Sequence, residues 1–135
     1  MHWTRFALAV LASGVAASIT DWFFMGVLFH GKYLETPEIW RNQPGQSETG
    51  NIIASALIGL VGCAAFIYLC YWTGALPILR ADIRMAVIVW LVAPVPLILT
   101  NVLWMKFHPI LGLSHMLGWL ARFVVTGIIA FWLLR

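Results

Sequence analysis

Charge is what this chain is short of. Only 10% of its residues are Asp, Glu, Lys or Arg, where a soluble domain carries about 25%. So few charges cannot cover a water-facing surface, which excludes an ordinary soluble globule. The 8 Lys and Arg are scattered and form no basic run, which excludes a nucleic-acid footprint. Cysteine is nearly missing, with Cys63 and Cys70 the only 2. On one helix, at about 1.5 Å of rise per residue, they stand roughly 10 Å apart, too far for a disulfide. CxxC is absent, so thiol redox chemistry has no support and both are expected to be ordinary buried cysteines. The alternating segments of about 10 residues that a β-barrel needs do not occur. Metal-ligand spacings such as HxxH, phosphate-binding loops and nucleophile–base pairs are missing too. No internal repeat relates the two halves, which argues against an inverted-repeat transporter.

What is there is apolar sequence. Hydrophobic residues make up 62% of the 135, and mean hydropathy is +0.92. Four long runs, at about 3–29, 51–73, 85–105 and 110–134, each reach the ~20 residues that span a bilayer. In hydrocarbon every backbone polar group needs an internal partner, so each run is expected to be a helix. The sequence therefore predicts an all-α membrane protein, a four-transmembrane-helix bundle forming one domain over residues 1–135. The opening HWTRFALAVLASGVAAS has the layout of a signal peptide. Its apolar pattern continues to Phe29, however, so this run is expected to remain as the first span.

The connections suggest an orientation. The first, HGKYLETPEIWRNQPGQSETG, is long and polar, the second, around GALPILRADIR, is short and basic, and the third is KFHP. Four spans put both termini on one side, with Arg5, Arg80, Arg84 and Arg135; Lys32, Arg41 and Lys106 fall on the other. The positive-inside rule then places both termini in the cytoplasm, with the plasma (inner) membrane expected for a bacterial source. Thr36-Pro37-Glu38 has the cap, proline and acid of a helix start. It predicts a short interfacial helix or turn with Ile39 and Trp40 at the membrane surface, ended by Pro44-Gly45. Pro94 and Pro96 should kink the third span and free carbonyls near Trp90 and Val92. Trp3, Trp40, Trp72, Trp104 and Trp132 lie at span ends as an aromatic belt.

Against this background two charges stand inside spans, Asp21 and Arg122. Such residues are costly and are functional-site hypotheses by default. Asp21 lies ~12 Å and Arg122 ~18 Å below the long-loop side. A flexible guanidinium stem covers the difference, so a bidentate pair is expected if the first and fourth helices touch. Helical spacing puts Leu111, His115, Gly118, Arg122 and Thr126 on one stripe. Gly14, Ala17, Ser18, Asp21 and Met25 form another, as do Ser55, Gly59, Gly62 and Phe66, and Trp90, Pro94, Leu97 and Asn101. Asp21, Asn51, Ser55, Asn101, His115 and Arg122 collect in the loop-side half or near mid-membrane. The opposite half has Cys63, Cys70 and Tyr68 but no expected buried charge.

This distribution predicts a polar cavity open to the long-loop side. Arg122 would anchor a small amphipathic or anionic ligand, with Asp21 as its counter-ion. Asn101, His115 and Ser55 would be polar contacts, and Trp22, Trp90 and Trp119 apolar walls, the usual mixture in a ligand site. His30, His108 and His115 with Asp21 are metal-ligand types without metal-ligand spacing. No metal or other cofactor is expected. His108, before Pro109, reads as an interface residue and His115 as a hydrogen-bonding core residue.

From Asp21 to Trp40, through Gly26-Val27-Leu28-Phe29-His30-Gly31-Lys32, the chain resembles the domain-of-unknown-function 1761 family of small bacterial four-span membrane proteins. The likeness lies in length, span number and a Gly–aromatic–Leu-Phe-Gly pattern at the end of the first helix. Here His30 interrupts the Phe-Gly step, and the tryptophan before the leucine is displaced to Trp22. The resemblance implies a helical bundle and assigns neither activity nor functional residues. Three readings of function follow from the residues. One is a binding or transport protein for a small amphipathic or anionic molecule. Another is a non-catalytic membrane subunit or structural bundle, docking a second copy or a membrane-protein partner. The last is a small membrane enzyme with Asp21 or His115 as acid/base.

Overall fold

A computed structural model describes residues 2–39 and 47–135. Helix α1 (Trp3–Trp22) runs directly into a π-helical turn, Phe23–Leu28. The wide turn shows in the Phe29 N–H, which donates to the Phe24 carbonyl at 2.9 Å. A short α2 (His30–Leu34) and a single 3-10 turn (Pro37–Ile39) follow. Then come α3 (Thr49–Trp72), α4 (Leu79–Val92), α5 (Pro94–Trp104) and α6 (Pro109–Leu134). Trp3–Leu28, Thr49–Trp72, Leu79–Trp104 and Pro109–Leu134 are long and apolar enough to cross a membrane. This is the expected all-α, four-span architecture.

Local chemistry explains most of the ends. α3 stops at Gly74, whose φ of 73° suits a residue without a Cβ. The Ala75 N–H then closes the turn on the Cys70 carbonyl at 2.8 Å. The third span breaks at Ala93, and Pro94 opens α5, where its missing N–H costs no helical bond. That is the expected kink. α6 starts on Pro109 with His108 as its cap, Nδ1 accepting from the Ile110 N–H at 3.2 Å.

Two expectations need correction. The third span begins at Leu79, not 85, because its first turn hides an acid: Asp82 points inward while Arg80 and Arg84 are exposed. In the first loop, Thr36 does not cap forward. Its hydroxyl donates back to the Lys32 carbonyl at 3.1 Å; the expected short element itself forms, as the 3-10 turn at Pro37, with α2 upstream. Trp40, Pro44 and Gly45 lie outside the described residues.

The spans are not arranged as a square. α6 packs on α1, α3, α4 and α5, whereas α3 has no extended packing on α4 or α5. Three glycines let α6 serve these neighbours. A Cβ on Gly112 would stand 2.8 Å from Val102 Cγ2 on α5. One on Gly118 would stand 3.2 Å from Asp21 Oδ1 on α1, and one on Gly127 would stand 3.3 Å from the Asp82 Cβ on α4. Close approach at small residues is how membrane helices gain packing, since lipid provides no hydrophobic drive between them. The main apolar core, with Phe66, Ile67, Leu76, Ala86, Phe123 and Ala130, lies in the half nearer the termini. Trp3, Trp72, Trp104 and Trp132 are exposed at span ends, as a belt requires. At the other end of α3, residues 49–58 are exposed on every side.

Gly112→Leu should destabilise the bundle by about 1–3 kcal/mol, the cost of overpacking a tight contact. Val102 and Ile98 are β-branched and have few rotamers with which to yield. Thermal unfolding in detergent should report the loss, and an unchanged midpoint would refute the close α5–α6 contact.

Candidate functional site: an ion pair at the junction of three helices

Asp21 sits in the last turn of α1, immediately before the π-helical turn. Arg122 lies midway along α6. The guanidinium Nη2 donates to Asp21 Oδ2, so the pair expected from depth alone is present. It is a single contact rather than a bidentate one, because the other guanidinium nitrogens face elsewhere. Nη1 lies against α3, where a Cβ on Gly59 would come within 2.5 Å of it. Nε is buried and has no hydrogen-bond partner. The guanidinium carbon also sits over the Trp119 ring, 4.7 Å from its centroid, a favourable cation–π placement. The side chain of Arg122 is 10% exposed and that of Asp21 25%, so the acid is the accessible end of the pair.

Above the pair, α2 closes over the loop-side end of α6. Tyr33 is buried, and its hydroxyl donates to Ser114 Oγ at 3.3 Å. His115 lies edge-on to Tyr33, with ring centroids 6.1 Å apart, and 5.7 Å from Phe107. Asp21 is near enough for its charge to act on both Tyr33 and His115. Burial pushes the Tyr33 phenol above its ordinary value, only partly opposed by the bond to Ser114. Asp21, Arg122 and Trp119 thus form one group, and Tyr33, Ser114 and His115 a second beside it on the loop side. Tyr33 and Ser114 were not expected there. Tyr33 reads as loop, and Ser114 lies one position off the stripe that holds His115.

Other expected site residues stand elsewhere. Ser55 is exposed on the free end of α3, as is Asn51. Asn101 is half-buried on α5, which meets α6 through Ile98 and Val102 at Gly112, and no hydrogen bond links its side chain to the pair. The Trp90 indole N–H donates to the Met116 carbonyl at 2.7 Å, so Trp90 ties α4 to α6 instead of walling the pocket. Trp22 is 65% exposed. It borders an open groove between α1 and α3, with Gly14, Ser18, Ala56 and Leu60, whose lining does not include Arg122. His30 is exposed, and among the described residues no three His, Cys, Asp or Glu side chains converge as metal ligands would. Cys63 and Cys70 are free and buried, and Thr126 donates to Cys63 Sγ at 3.5 Å.

The expected one-sided polarity also needs correction. The termini-side half contains Asp82, 0% exposed. It was missed because the charged stretch around it reads as loop.

Asp21→Leu alone should cost about 3–5 kcal/mol, since it strands a buried guanidinium. Asp21→Leu with Arg122→Met should recover most of that loss, and a denaturation cycle over the four proteins measures the coupling. Additive losses would mean the pair is not coupled. The Tyr33 prediction concerns alkaline pH. With its folded value raised, the neutral phenol favours the native state below the ordinary value of 10.0. That contribution is lost as pH rises through the folded value. Phenolate absorbance of wild type minus Tyr33→Phe should therefore appear only above the ordinary tyrosine range, and appearance within that range would contradict the buried placement.

No protein-family profile, curated protein or solved structure matches this chain.

Proposed function

We propose that this is an integral membrane protein that binds, and in a two-state form transports, a small anionic or amphipathic molecule at Arg122, entering from the long-loop side. The observation that carries the reading is the state of Arg122. It is a buried cation with one carboxylate contact, an aromatic face and an unpartnered Nε. Ion pairs whose only task is to hold two helices together are stable when their remaining donors are satisfied. This one keeps a donor in reserve, and its counter-ion is the accessible partner. An anionic group arriving beside Asp21 would compete for the guanidinium, with Tyr33, Ser114 and His115 as polar neighbours and Trp119 as apolar wall. Orientation with both termini in the cytoplasm of a bacterial inner membrane, and kinship with the domain-of-unknown-function 1761 family through residues 21–40, are proposed with it.

A second reading is favoured by one observation, the exposure of residues 49–58 on every side of α3. Asn51 and Ser55 make that stretch polar enough to suit a partner helix better than acyl chains. In this reading the chain is a non-catalytic subunit, and a second copy or a membrane-protein partner supports the free end of α3.

Native mass spectrometry in mild detergent separates the two. Wild type should retain a defined small molecule, Arg122→Lys should hold it more weakly, and Arg122→Gln should lose it. Added back at 100 times its Kd, the molecule should stabilise wild type by about 2.7 kcal/mol. A bare wild type that behaves like a folded Arg122→Lys variant would overturn ligand binding. A co-purifying polypeptide or a dimer whose interface maps to α3 would establish the second reading.

A further inference from the structure

Asp82 has no part in the Arg122 pocket, yet it is a fully enclosed acid. It is 0% exposed, and neither carboxyl oxygen has a hydrogen-bond partner. No lysine or arginine is paired with it, and its sequence neighbours Arg80 and Arg84 are exposed. α6 meets it with Gly127 rather than with a titratable side chain. α3 meets it with Cys70, whose thiol lies beside the carboxyl as a weak donor. Among the described residues α1 has no extended packing on α4. A carboxylate out of reach of solvent, with a thiol as its one neighbouring donor and no counter-charge, is resolved in proteins by taking up a proton. Ionisable residues in such places are the usual stations of proton traffic across membranes.

Asp82 lies near the start of α4, at the end of the bundle that holds the termini. A small cavity at that end is lined by His2, Arg5, Tyr71, Leu76 and Leu134. The Leu76 N–H donates to the Cys70 carbonyl at 3.4 Å. We propose that Asp82 is a proton-binding site, loaded and unloaded from the side that holds the termini, and separate from the Arg122 pocket. The chemistry is proton transfer alone. On loading, an O–H bond forms on the Asp82 carboxylate and a hydronium ion from the termini side returns to water; unloading is the reverse. The inference does not rest on ligand binding at Arg122.

The chain contains two aspartates, Asp21 and Asp82, which makes a direct test possible without mutation. The full-length protein, labelled with carbon-13 at the aspartate side-chain carboxyl and reconstituted in oriented proteoliposomes, should show two carboxyl resonances by solid-state NMR. Asp82 follows Ala81 and Asp21 follows Thr20, so carbonyl-labelled alanine with nitrogen-15 aspartate assigns them. The Asp82 resonance should be that of a protonated acid at neutral pH and should shift when the termini side alone is made alkaline. A carboxylate resonance for Asp82 from acid through alkaline pH would overturn the proposal. So would a response confined to pH changes on the long-loop side. Asp82→Asn should delete the titrating resonance while Arg122→Lys leaves it in place, and loss of the titration in a folded Arg122→Lys variant would equally overturn a site independent of the pocket.

Discussion

The packing of α6 is the constraint on which the rest of the structure depends. In a bilayer, apolar side chains gain nothing by leaving lipid for one another, so helices associate where backbones can come close and where polar groups find partners. α6 does both. Gly112, Gly118 and Gly127 open it toward α5, α1 and α4 in turn, while Arg122 and Thr126 carry polar contacts to α1 and α3. The other spans are arranged by what α6 offers them. This is why α3 and the third span have no extended packing on each other.

The two buried acids show how differently the same group can be treated in low dielectric. Asp21 is partly reachable and has a cation, so its charge is compensated locally. Asp82 is fully enclosed and, among the described residues, has no counter-charge. A carboxyl can persist in the second situation only in its neutral form. The molecule therefore sets a paired acid and an unpaired one against opposite halves of the same central helix.

Much of this was legible in the sequence, and the failures have identifiable causes. Span number, the kink at Pro94, the tryptophan belt and the Asp21–Arg122 pair follow from length, hydropathy and rise per residue, quantities that tertiary packing hardly alters. The register of individual polar residues is a different matter. Ser55 and Asn101 lie at suitable depths, but depth does not say whether a helix leans in or away, and the start of α3 leans away. Asp82 was hidden by its neighbours: an acid between two arginines reads as solvated loop, although the helix turns only the arginines outward. Tyr33 was hidden because the loop that contains it folds back as α2. The 1761-family resemblance rests on residues near the end of the first span and could not have supplied any of these placements.

The π-helical turn at Phe23–Leu28 has a consequence for how the first span is wound. A π turn accommodates one residue more than an α turn, and one residue is about 100° of rotation around a helix axis. Everything beyond the turn is therefore offset by about a quarter-circle from where an unbroken α-helix would carry it. Asp21, before the turn, is phased to face Arg122, while the chain leaves the span at Leu28 on a different bearing. The wide turn works as a phase adjuster, so the direction in which the loop departs is not dictated by the direction in which Asp21 points.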